Sequence, residues 1–173
     1  MMASVLNHGG VVACPTEGVW GLSCRSDRLD AVGRILEIKA RAPSKGLIVL
    51  VTDFEQVSEW AACPIHENAR SEEGRPSTWV IPVKADCPAI LTGGRASLAV
   101  RQVKMPLLKR LVAYAGPIVS TSANRSGRPA CRFRHQVMLT LGDQVDYVSK
   151  NQTQGFKTPS TIRDMVTGEI YRA

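Results

Sequence analysis

The sequence predicts an α/β fold, because short apolar runs alternate with amphipathic stretches along the chain. Hydrophobic residues make up 44% of the 173 residues and charged residues 21%, a globular composition that excludes a disordered tail or a collagen-like fibre. A chain of this length can bury a sizeable core. Since no repeat or linker interrupts the alternation, we expect residues 1–173 to form a single domain.

The first half predicts a strand, a helix, a second strand and a second helix, followed by a polar surface segment. Apolar side chains recur at helical spacing between Leu29 and Lys39, with Asp27 or Asp30 as the N-terminal cap. The run GLIVLV is short and rich in β-branched residues, which indicates a buried strand. In chain order, the five assignments cover residues 11–14, 29–39, 46–51, 54–62 and 66–77.

The second half repeats the alternation. The run TWVIPV contains Pro82, which cannot donate to a sheet ladder, so this strand is expected at a sheet edge or to end there. Gly93 and Gly94 mark a turn. Strands are expected at residues 78–83, 97–103 and 117–120, helices at 107–115 and 134–141, and short closing strands or a hairpin at 145–148, 160–163 and 168–171.

The net charge of +7 is unevenly distributed. The first 86 residues hold 9 basic and 11 acidic side chains, whereas the remainder holds 13 basic and 4 acidic ones. Arg125, Arg128, Arg132 and Arg134 lie within ten residues that contain no acid. This excess indicates either a solvated basic face or an anionic partner, and charge alone does not separate a nucleotide from nucleic acid.

The apolar runs and the cysteines indicate in which cellular compartment the protein works. The apolar run over residues 46–51 is far shorter than the roughly 18 residues that a membrane span needs, and no signal-peptide pattern opens the chain. We therefore expect a soluble, cytoplasmic protein without membrane contact. The cysteines are odd in number and form no CxxC pair, so we expect reduced, packed thiols rather than a disulfide framework or a zinc site.

Two polar segments follow predicted elements in the first half. Residues 15–22 (PTEGVWGL) form either a tight loop that lines a pocket or an ordinary turn in which Thr16 and Glu17 satisfy backbone groups. Residues 39–46 carry Lys39, Arg41 and Lys45, which together suit the phosphates of a nucleotide. Favourable charge at a helix C-terminus is the alternative explanation of these cations.

Two more segments lie in the second half. In an extended strand, Ser97, Ala99 and Arg101 share one face, which would suit a carboxylate or phosphate, although a half-exposed strand fits as well. Residues 120–129 (STSANRSGRP) carry five hydroxyl or amide side chains, a composition that suits an anion cradle or a polar turn. Neither a P-loop nor a GxGxxG fingerprint is present.

The segments PTEGVWGL, KARAPSKGLIVLV, SLAVR and STSANRSGRP, in this order and spacing, resemble the YrdC/TsaC family of threonylcarbamoyl-AMP synthases over about residues 11–172. The resemblance implies an open, twisted, mixed α/β sheet around a basic cavity. It also implies a nucleotidyltransferase that joins L-threonine, bicarbonate and ATP into threonylcarbamoyl-adenylate and releases pyrophosphate. This is the first step of N6-threonylcarbamoyladenosine formation at position 37 of tRNAs that read ANN codons.

The resemblance assigns residues to three groups. The cations expected to line the cavity and act in catalysis are Lys39, Arg41 and Lys45. The side chains expected to bind threonine are Thr16, Arg101, which would pair with the carboxylate, Thr121 and Ser160. The side chains expected to bind ATP are Arg41, Lys45, Ser97, Ser122, Asn124, Arg132 and Arg172.

The same resemblance implies cofactors and partners. Mg²⁺ would be held by the ATP phosphates and water, so no protein metal site is expected. Downstream proteins that transfer the threonylcarbamoyl group to tRNA would receive the product, and direct binding of tRNA or other RNA stays open. Glu17 is interpreted as a loop-organising residue, and His8, His66 and His135 fall outside all four segments.

The sequence departs from the family pattern at several positions. Leu50 and Met105 stand where histidines occur in relatives, and residues 75–77 (RPS) replace a GPxT-like segment. Only about ten residues precede the first strand, so the helix that most relatives carry there is expected to be missing.

Two other functions compete with the synthase. A basic concavity could bind tRNA or double-stranded RNA without catalysis, although the nine aromatic residues form no visible stacking motif. A carbamoyl-adenylate-forming domain of the hydrogenase-maturation type is the other alternative, but that family carries the domain within a much longer chain.

Overall fold

The alternating pattern folds into helices and strands that follow one another closely. The computed structural model describes residues 1–64, 76–156 and 160–172. Its strands are β1 (Val12–Pro15), β2 (Trp20–Arg25), β3 (Ile48–Val51), β4 (Ser77–Pro82), β5 (Ser97–Gln102), β6 (Ile118–Ser122), β7 (Tyr147–Val148), β8 (Thr161–Asp164) and β9 (Ile170–Arg172). Its helices are α1 (Met2–Asn7), α2 (Leu29–Lys39), α3 (Ala89–Thr92), α4 (Pro106–Ala115) and α5 (Arg134–Leu141), with 3₁₀ turns at Pro43–Lys45 and Phe54–Val57.

All of these strands join one mixed sheet in the order β7-β1-β2-β6-β3-β5-β4-β8-β9. The pairs β1–β7, β3–β5 and β4–β8 are parallel, and the other neighbouring pairs are antiparallel. The expected open, mixed α/β sheet is therefore confirmed. Because strands that are distant in sequence become neighbours, the four polar segments can reach one region of the sheet.

The strand register assigns polar and apolar side chains to opposite faces. Ile48 of β3 pairs with Ala99 of β5 and with Ser120 of β6, while Leu50 pairs with Arg101. Directly paired residues lie on the same face of a sheet, so these side chains share one surface. The intervening positions of β5, such as Leu98, point to the opposite face and are fully buried.

Helices α2, α3 and α5 cover the apolar face. Their side chains pack with the strand residues of that face in one core cluster, exemplified by Ile35 of α2, Leu91 of α3, Leu141 of α5 and Val100 of β5. Each of these four side chains is fully buried. Burying an aliphatic side chain of this size stabilises the fold by about 1.5–3 kcal/mol, so this cluster anchors the sheet.

Helices α1 and α4 cover only one end of the polar face. Leu6 of α1 and Leu108 of α4 pack with Leu50 and Ile118 of the sheet in a second apolar cluster. Beyond this cluster, β5 and β6 carry small and polar side chains, which line a cavity together with Ile48 and Leu50 of β3. In the described part of the chain, no helix is long and apolar enough to cross a membrane.

The structure corrects the expectation that no helix precedes the first strand. Residues Met2–Asn7 form α1, which ends where the amide of Gly10 donates to the carbonyl oxygen of Val5 at 2.9 Å. Leu6 inserts between α4 and the sheet and is fully buried. The helix is only six residues long, so it depends on this packing rather than on its own propensity.

The predicted caps of α2 are also wrong. The N-cap position is Arg28, and no side chain caps this end. Asp27 instead accepts hydrogen bonds from the guanidinium of Arg25 at 2.9 and 2.5 Å, which occupies both of its carboxylate oxygens. Asp30 lies inside the first helical turn.

The helix expected over residues 54–62 is limited to a 3₁₀ turn at Phe54–Val57. The chain leaves helical geometry because its backbone pairs with the end of β4: the amide of Lys84 donates to the carbonyl oxygen of Trp60, and the amide of Ala62 donates to that of Pro82. Pro82 is the last residue of β4, which has neighbours on both sides and so is not an edge strand. Of the expected surface segment, residues 66–75 lie outside the described residues, and Ser77 is buried in β4.

Candidate functional site

The uncovered part of the polar face holds a cavity of about 820 Å³. This volume lies within the range of pockets that bind small molecules and cofactors. All four polar segments contribute to its walls, together with the last two strands. The sequence-predicted residues that line it are Thr16, Arg41, Lys45, Ser97, Arg101, Thr121, Ser122, Arg132, Ser160 and Arg172.

One wall is the cationic turn between α2 and β3. The guanidinium of Arg41 donates to the carbonyl oxygen of Gly46 at 2.9 Å. It also lies 3.4 Å from the carbonyl oxygen of Lys45. Arg95, which the sequence analysis did not select, donates to the carbonyl oxygen of Ser44 at 2.8 Å and also lines the cavity. Burial and then repulsion by Arg95 lower the pKa of Arg41, so these two cations are close enough to favour an anion between them.

The expected face of β5 lies at the centre of the cavity. Ser97, Ala99 and Arg101 all line it, whereas Leu98 and Val100 are fully buried on the other side of the sheet. The alternation predicted from the sequence is therefore confirmed for this strand. Its physical basis is the two-residue period of side chains in extended backbone.

Arg101 pairs with a carboxylate that the sequence analysis placed in a turn. Its Nη2 atom lies 3.3 Å from Oε2 of Glu17, and both side chains are at least nine-tenths buried. Glu17 lines the cavity, so its side chain does more than organise the loop. The signal available in the sequence was its position as the single acid within the four segments.

Three residues with hydroxyl groups line the same cavity as this ion pair. The Thr16 hydroxyl donates to the carbonyl oxygen of Val19 at 2.8 Å, which fixes the loop while leaving its oxygen able to accept a hydrogen bond. Ser160 shares a 2.9 Å hydrogen bond with the hydroxyl of Thr78. Thr121 also lines the cavity, at the junction of β6 and the polar loop that follows.

Strand β9 closes the wall beside β8. The guanidinium of Arg172 donates twice to the carbonyl oxygen of Ser160, at 2.9 and 3.2 Å. Burial and then the charge of Arg101 lower the pKa of Arg172. The described cavity wall thus carries Glu17 against six cations: Arg41, Lys45, Arg95, Arg101, Arg132 and Arg172. Such a surplus of positive charge suits a polyanionic ligand.

Lys39 does not line the cavity, contrary to the sequence prediction. It is only 2% exposed, and its ammonium group donates to the carbonyl oxygens of Ser122 and Asn124 and to the side-chain oxygen of Asn124. All three ammonium hydrogens thus have acceptors at the end of β6 and in the loop that follows it. The structure therefore places this ammonium group beneath the loop and not on the cavity wall.

Asn124 is likewise absent from the cavity wall. Its side-chain oxygen accepts hydrogen bonds from Lys39 and from the Ser122 hydroxyl, and its amide group donates to the carbonyl oxygens of Arg125 and Arg128. These contacts hold the loop in shape. Among the other arginines of the basic stretch, Arg125, Arg128 and Arg134 are exposed and lie outside the wall.

A close backbone approach at Gly18 brings another segment to the cavity. A Cβ atom at Gly18 would lie 2.8 Å from the carbonyl oxygen of Phe156, so only glycine fits without a shift. The amide of Phe156 donates to the carbonyl oxygen of Glu17 at 3.0 Å, and Phe156 lines the cavity. Sequence reasoning did not select Phe156, because nothing local marks residue 156 as a neighbour of residue 18.

The departures from the family pattern fall mainly in the apolar cluster under α4. Leu50 is fully buried there and borders the cavity, and Met105 packs in the same cluster without lining it. His8 and His135 lie outside the wall, with His135 stacked on Phe133 at a ring distance of 5.6 Å, and His66 lies outside the described residues.

Comparisons with known proteins find relatives that match almost the whole chain. The family model described as "Telomere recombination", which covers Sua5, YciO and YrdC, matches residues 4–173. A curated threonylcarbamoyl-AMP synthase of Pseudomonas aeruginosa is 40% identical over 98% of this chain and 94% of its own length. One of Klebsiella pneumoniae is 40% identical over 98% of this chain and 92% of its own length.

Solved structures of other proteins have the same fold as this chain. The crystal structure of P. abyssi Sua5 complexed with L-threonine matches with a TM-score of 0.84 and 32% identity over 94% of this chain, which spans about half (49%) of that protein. E. coli YciO matches with a TM-score of 0.77 and 20% identity, covering 98% of this chain and 85% of that one, and supports the fold alone. The resemblance drawn from the four segments is confirmed, and the chain belongs to the Sua5/YciO/YrdC family.

Proposed function

We propose that the chain is a threonylcarbamoyl-AMP synthase, a nucleotidyltransferase that makes threonylcarbamoyl-adenylate from L-threonine, bicarbonate and ATP. The observation that carries the proposal is that one cavity joins the cationic turn around Arg41 to the buried Arg101–Glu17 pair. A polyphosphate and an amino acid can therefore lie side by side. The curated relatives named threonylcarbamoyl-AMP synthase support the same activity.

The chemistry needs alignment and charge neutralisation more than a strong base. The neutral threonine amine forms a bond to the carbon of CO₂, which bicarbonate supplies by losing hydroxide. The proton that the amine loses combines with this hydroxide to give water, and the product is a carbamate. A carbamate oxygen then forms a bond to the α-phosphorus of ATP, and the bond from that phosphorus to the oxygen that bridges to the β-phosphate breaks. Pyrophosphate leaves with the electron pair. Holding the two reactants in line and neutralising the phosphate charge lowers this barrier.

The cavity supports a division of roles. We assign Arg41 and Lys45 to the ATP phosphates, because they stand on the cationic turn, and Arg101 to the threonine carboxylate. Thr16, Thr121 and Ser160 line the same cavity as Arg101 and are assigned to the amino acid, while Ser97, Ser122, Arg132 and Arg172 are assigned to the nucleotide. Lys39 and Asn124 act through the loop that they hold.

Mg²⁺ would enter with ATP as part of the substrate. Within the described ranges, no cluster of three histidine, cysteine or acidic residues could hold a metal ion. The carboxylate on the described cavity wall is Glu17, which already faces Arg101. These residues fit a metal carried by the phosphates and by water, which is the usual way that nucleotide-bound Mg²⁺ is held.

We place the reaction at the first step of N6-threonylcarbamoyladenosine formation at position 37 of tRNAs that read ANN codons, with the cytoplasm as its compartment. The adenylate is a reactive mixed anhydride, so proteins that transfer its threonylcarbamoyl group to tRNA are the proposed downstream partners. The proposal needs no contact between this chain and tRNA.

Measuring pyrophosphate release tests the function. Purified protein with ATP, Mg²⁺ and bicarbonate is expected to release pyrophosphate only when L-threonine is added. An RNA-binding module without catalysis would bind tRNA and release none. A folded sample that binds ATP but shows no threonine-dependent release would contradict the synthase.

The same assay separates the roles of the two cations. Arg101→Ala is expected to raise the KM for threonine about tenfold or more, and Lys45→Ala to raise the KM for ATP to a similar degree, because each change removes a charged hydrogen-bond partner. Lys150→Ala, an exposed lysine outside the cavity wall, is the charge-matched control. Equal losses for both substrates in both variants would show that the assignments are too specific.

A further inference from the structure

The buried carboxylate of Glu17 is the feature of the cavity that phosphate binding leaves unexplained. Its side chain is 7% exposed and lines the cavity on the loop after β1. A negative charge repels a polyphosphate, and burying a carboxylate carries a large desolvation cost unless partners satisfy it. Its presence among the cavity cations therefore calls for a ligand group that it can attract.

The contact with Arg101 does not satisfy this carboxylate. The two groups are 3.3 Å apart, but Oε2 of Glu17 and Nε of Arg101 are buried without a hydrogen-bond partner. Nearly all buried side-chain oxygens in folded proteins do have one. A ligand that brings an N–H donor to the Glu17 side chain and an acceptor to the Arg101 side chain would complement both groups, since both residues line the cavity.

A free amino acid has this pair of groups. Its ammonium and carboxylate stand on one carbon atom, so the two charges are separated by about the length of a hydrogen bond. The side chains of Glu17 and Arg101 carry opposite charges at a similar separation, 3.3 Å between Oε2 and Nη2. The ammonium group of an amino acid can therefore face Glu17 while its carboxylate faces Arg101. The hydroxyl groups of Thr16 and Ser160 lie on the same cavity wall.

We propose that Glu17 binds the α-amino group of the amino-acid substrate while Arg101 binds its carboxylate, so that the pair selects an α-amino acid over an acid without the amino group. This inference rests on the proposed function and adds a specificity-determining residue to it. Glu17 also holds the nitrogen that must face the incoming carbon, which orients the nucleophile before the N–C bond forms.

A binding experiment that changes the protein and the ligand together tests the contact. The ligands are L-threonine and its analogue with a hydroxyl group in place of the α-amino group, and the proteins are wild type and Glu17→Gln. Calorimetry gives the four dissociation constants. Wild type is expected to prefer threonine by about tenfold or more, which is typical of a hydrogen bond between charged groups. In Glu17→Gln the preference is expected to fall to within about threefold.

The design separates direct binding from an effect through Arg101. Both ligands carry the carboxylate, so a Glu17 that merely positions Arg101 would weaken both equally in the variant, and that result overturns the proposal. Glu37→Gln, an exposed acid on α2, is the control and should keep the wild-type preference. If Glu17→Gln does not fold, the test uses the two dissociation constants of the wild-type protein. Equal affinity of the wild type for L-threonine and for the analogue without the amino group overturns the proposal.

Failure of this inference can be told from failure of the proposed function. A wild-type protein that releases no pyrophosphate with threonine refutes the synthase and the Glu17 contact together. A wild-type protein that releases pyrophosphate, but shows the same ligand preference as Glu17→Gln, refutes the Glu17 contact alone.

Discussion

At the scale of single residues, Lys39 and Glu17 carry buried charge for different reasons. The ammonium group of Lys39 has three oxygen acceptors at the end of β6 and in the loop that follows, so its hydrogen bonds are satisfied by the fold itself although its burial still disfavours the charge. The carboxylate of Glu17 keeps a buried oxygen without a hydrogen bond on a residue that lines the cavity. A buried group whose hydrogen bonds are satisfied serves the structure, whereas an unsatisfied one beside a cavity is a candidate for ligand binding.

Lys39→Met is expected to destabilise the protein by about 1–3 kcal/mol and to weaken ATP binding. The methionine fills the same space but removes the donor to the carbonyl oxygen of Asn124, and that of Ser122 keeps only the amide of Asn124. One buried unsatisfied acceptor costs about 1–3 kcal/mol. Urea denaturation measures the stability and calorimetry measures the affinity. Lys150→Met, on an exposed lysine, should change neither, and a stable Lys39→Met with normal affinity would contradict the positioning role.

The same residue predicts a pH dependence. Burial and then repulsion by Arg41 lower the pKa of Lys39 from 10.5 to about 8. Between pH 8 and pH 10.5 the unfolded chain binds more protons at Lys39 than the folded chain does, so the free energy of unfolding rises with pH. Below pH 8 the folded protein carries the full cost of the buried charge. The difference in unfolding free energy between wild type and Lys39→Met should therefore widen from pH 8 to pH 10. A constant difference would contradict the shift.

At the scale of elements, the end of α3 supports the cationic turn. Gly93 has a φ of +70°, and a Cβ atom there would lie 2.6 Å from the carbonyl oxygen of Ser44. Arg95 donates to that same oxygen, so the turn is held by a close backbone approach and by a side chain. The short helix α3 therefore affects the cavity through contact with the turn that carries Arg41 and Lys45.

Gly93→Ala is expected to lower both stability and ATP affinity, whereas Gly94→Ala should lower stability alone. Gly94 has a φ of +77° and no atom within 4 Å of an added Cβ, so both variants incur the same left-handed strain of about 1–2 kcal/mol. Only Gly93→Ala also displaces the turn. Thermal unfolding and ATP titration measure the two effects, and equal ATP affinities in both variants would show that the contact does not shape the site.

At the scale of the whole molecule, Asp146 joins three distant parts of the chain. Its carboxylate accepts hydrogen bonds from Arg34 on α2 at 2.6 and 3.1 Å and from the amide of Val11 at 2.7 Å. Burial alone would raise the pKa of Asp146, but these hydrogen bonds outweigh it and hold the pKa below its usual range. The contact fastens the β7 edge of the sheet to β1 and to the helical layer.

Asp146→Asn is expected to cost about 1 kcal/mol at neutral pH, because both members of the ion pair are more than a third exposed. A carboxyl whose pKa is depressed by folding stabilises the protein above its unfolded pKa, and this contribution is lost as acid protonates it. The difference from wild type should therefore shrink as the pH falls through 4. Asp143→Asn, on an exposed acid, is the control, and a difference that stays constant as the pH falls below 4 would contradict the linkage.

Many elements were readable from local pattern, but β2, α1 and α3 were not predicted. The bounds of α2 agree with the helix predicted from apolar spacing, and β5 presents Ser97 and Arg101 on the predicted face. Both follow from the fixed periods of helix and strand, which depend only on neighbouring residues. The helix expected over residues 54–62 failed because backbone hydrogen bonds to the end of β4 interrupt it, and these join residues about twenty positions apart.

The sequence by itself determined the fold class, the family resemblance and the segments that build the cavity. Only the tertiary structure decided which charges reach the ligand: Lys39 lies beneath the loop, Arg95 joins the wall, and Glu17 faces Arg101. Periodicity assigns a side chain to a face, but its partner depends on which strands become neighbours. The order β6-β3-β5-β4 brings together residues far apart in the chain, and that order is set by global packing.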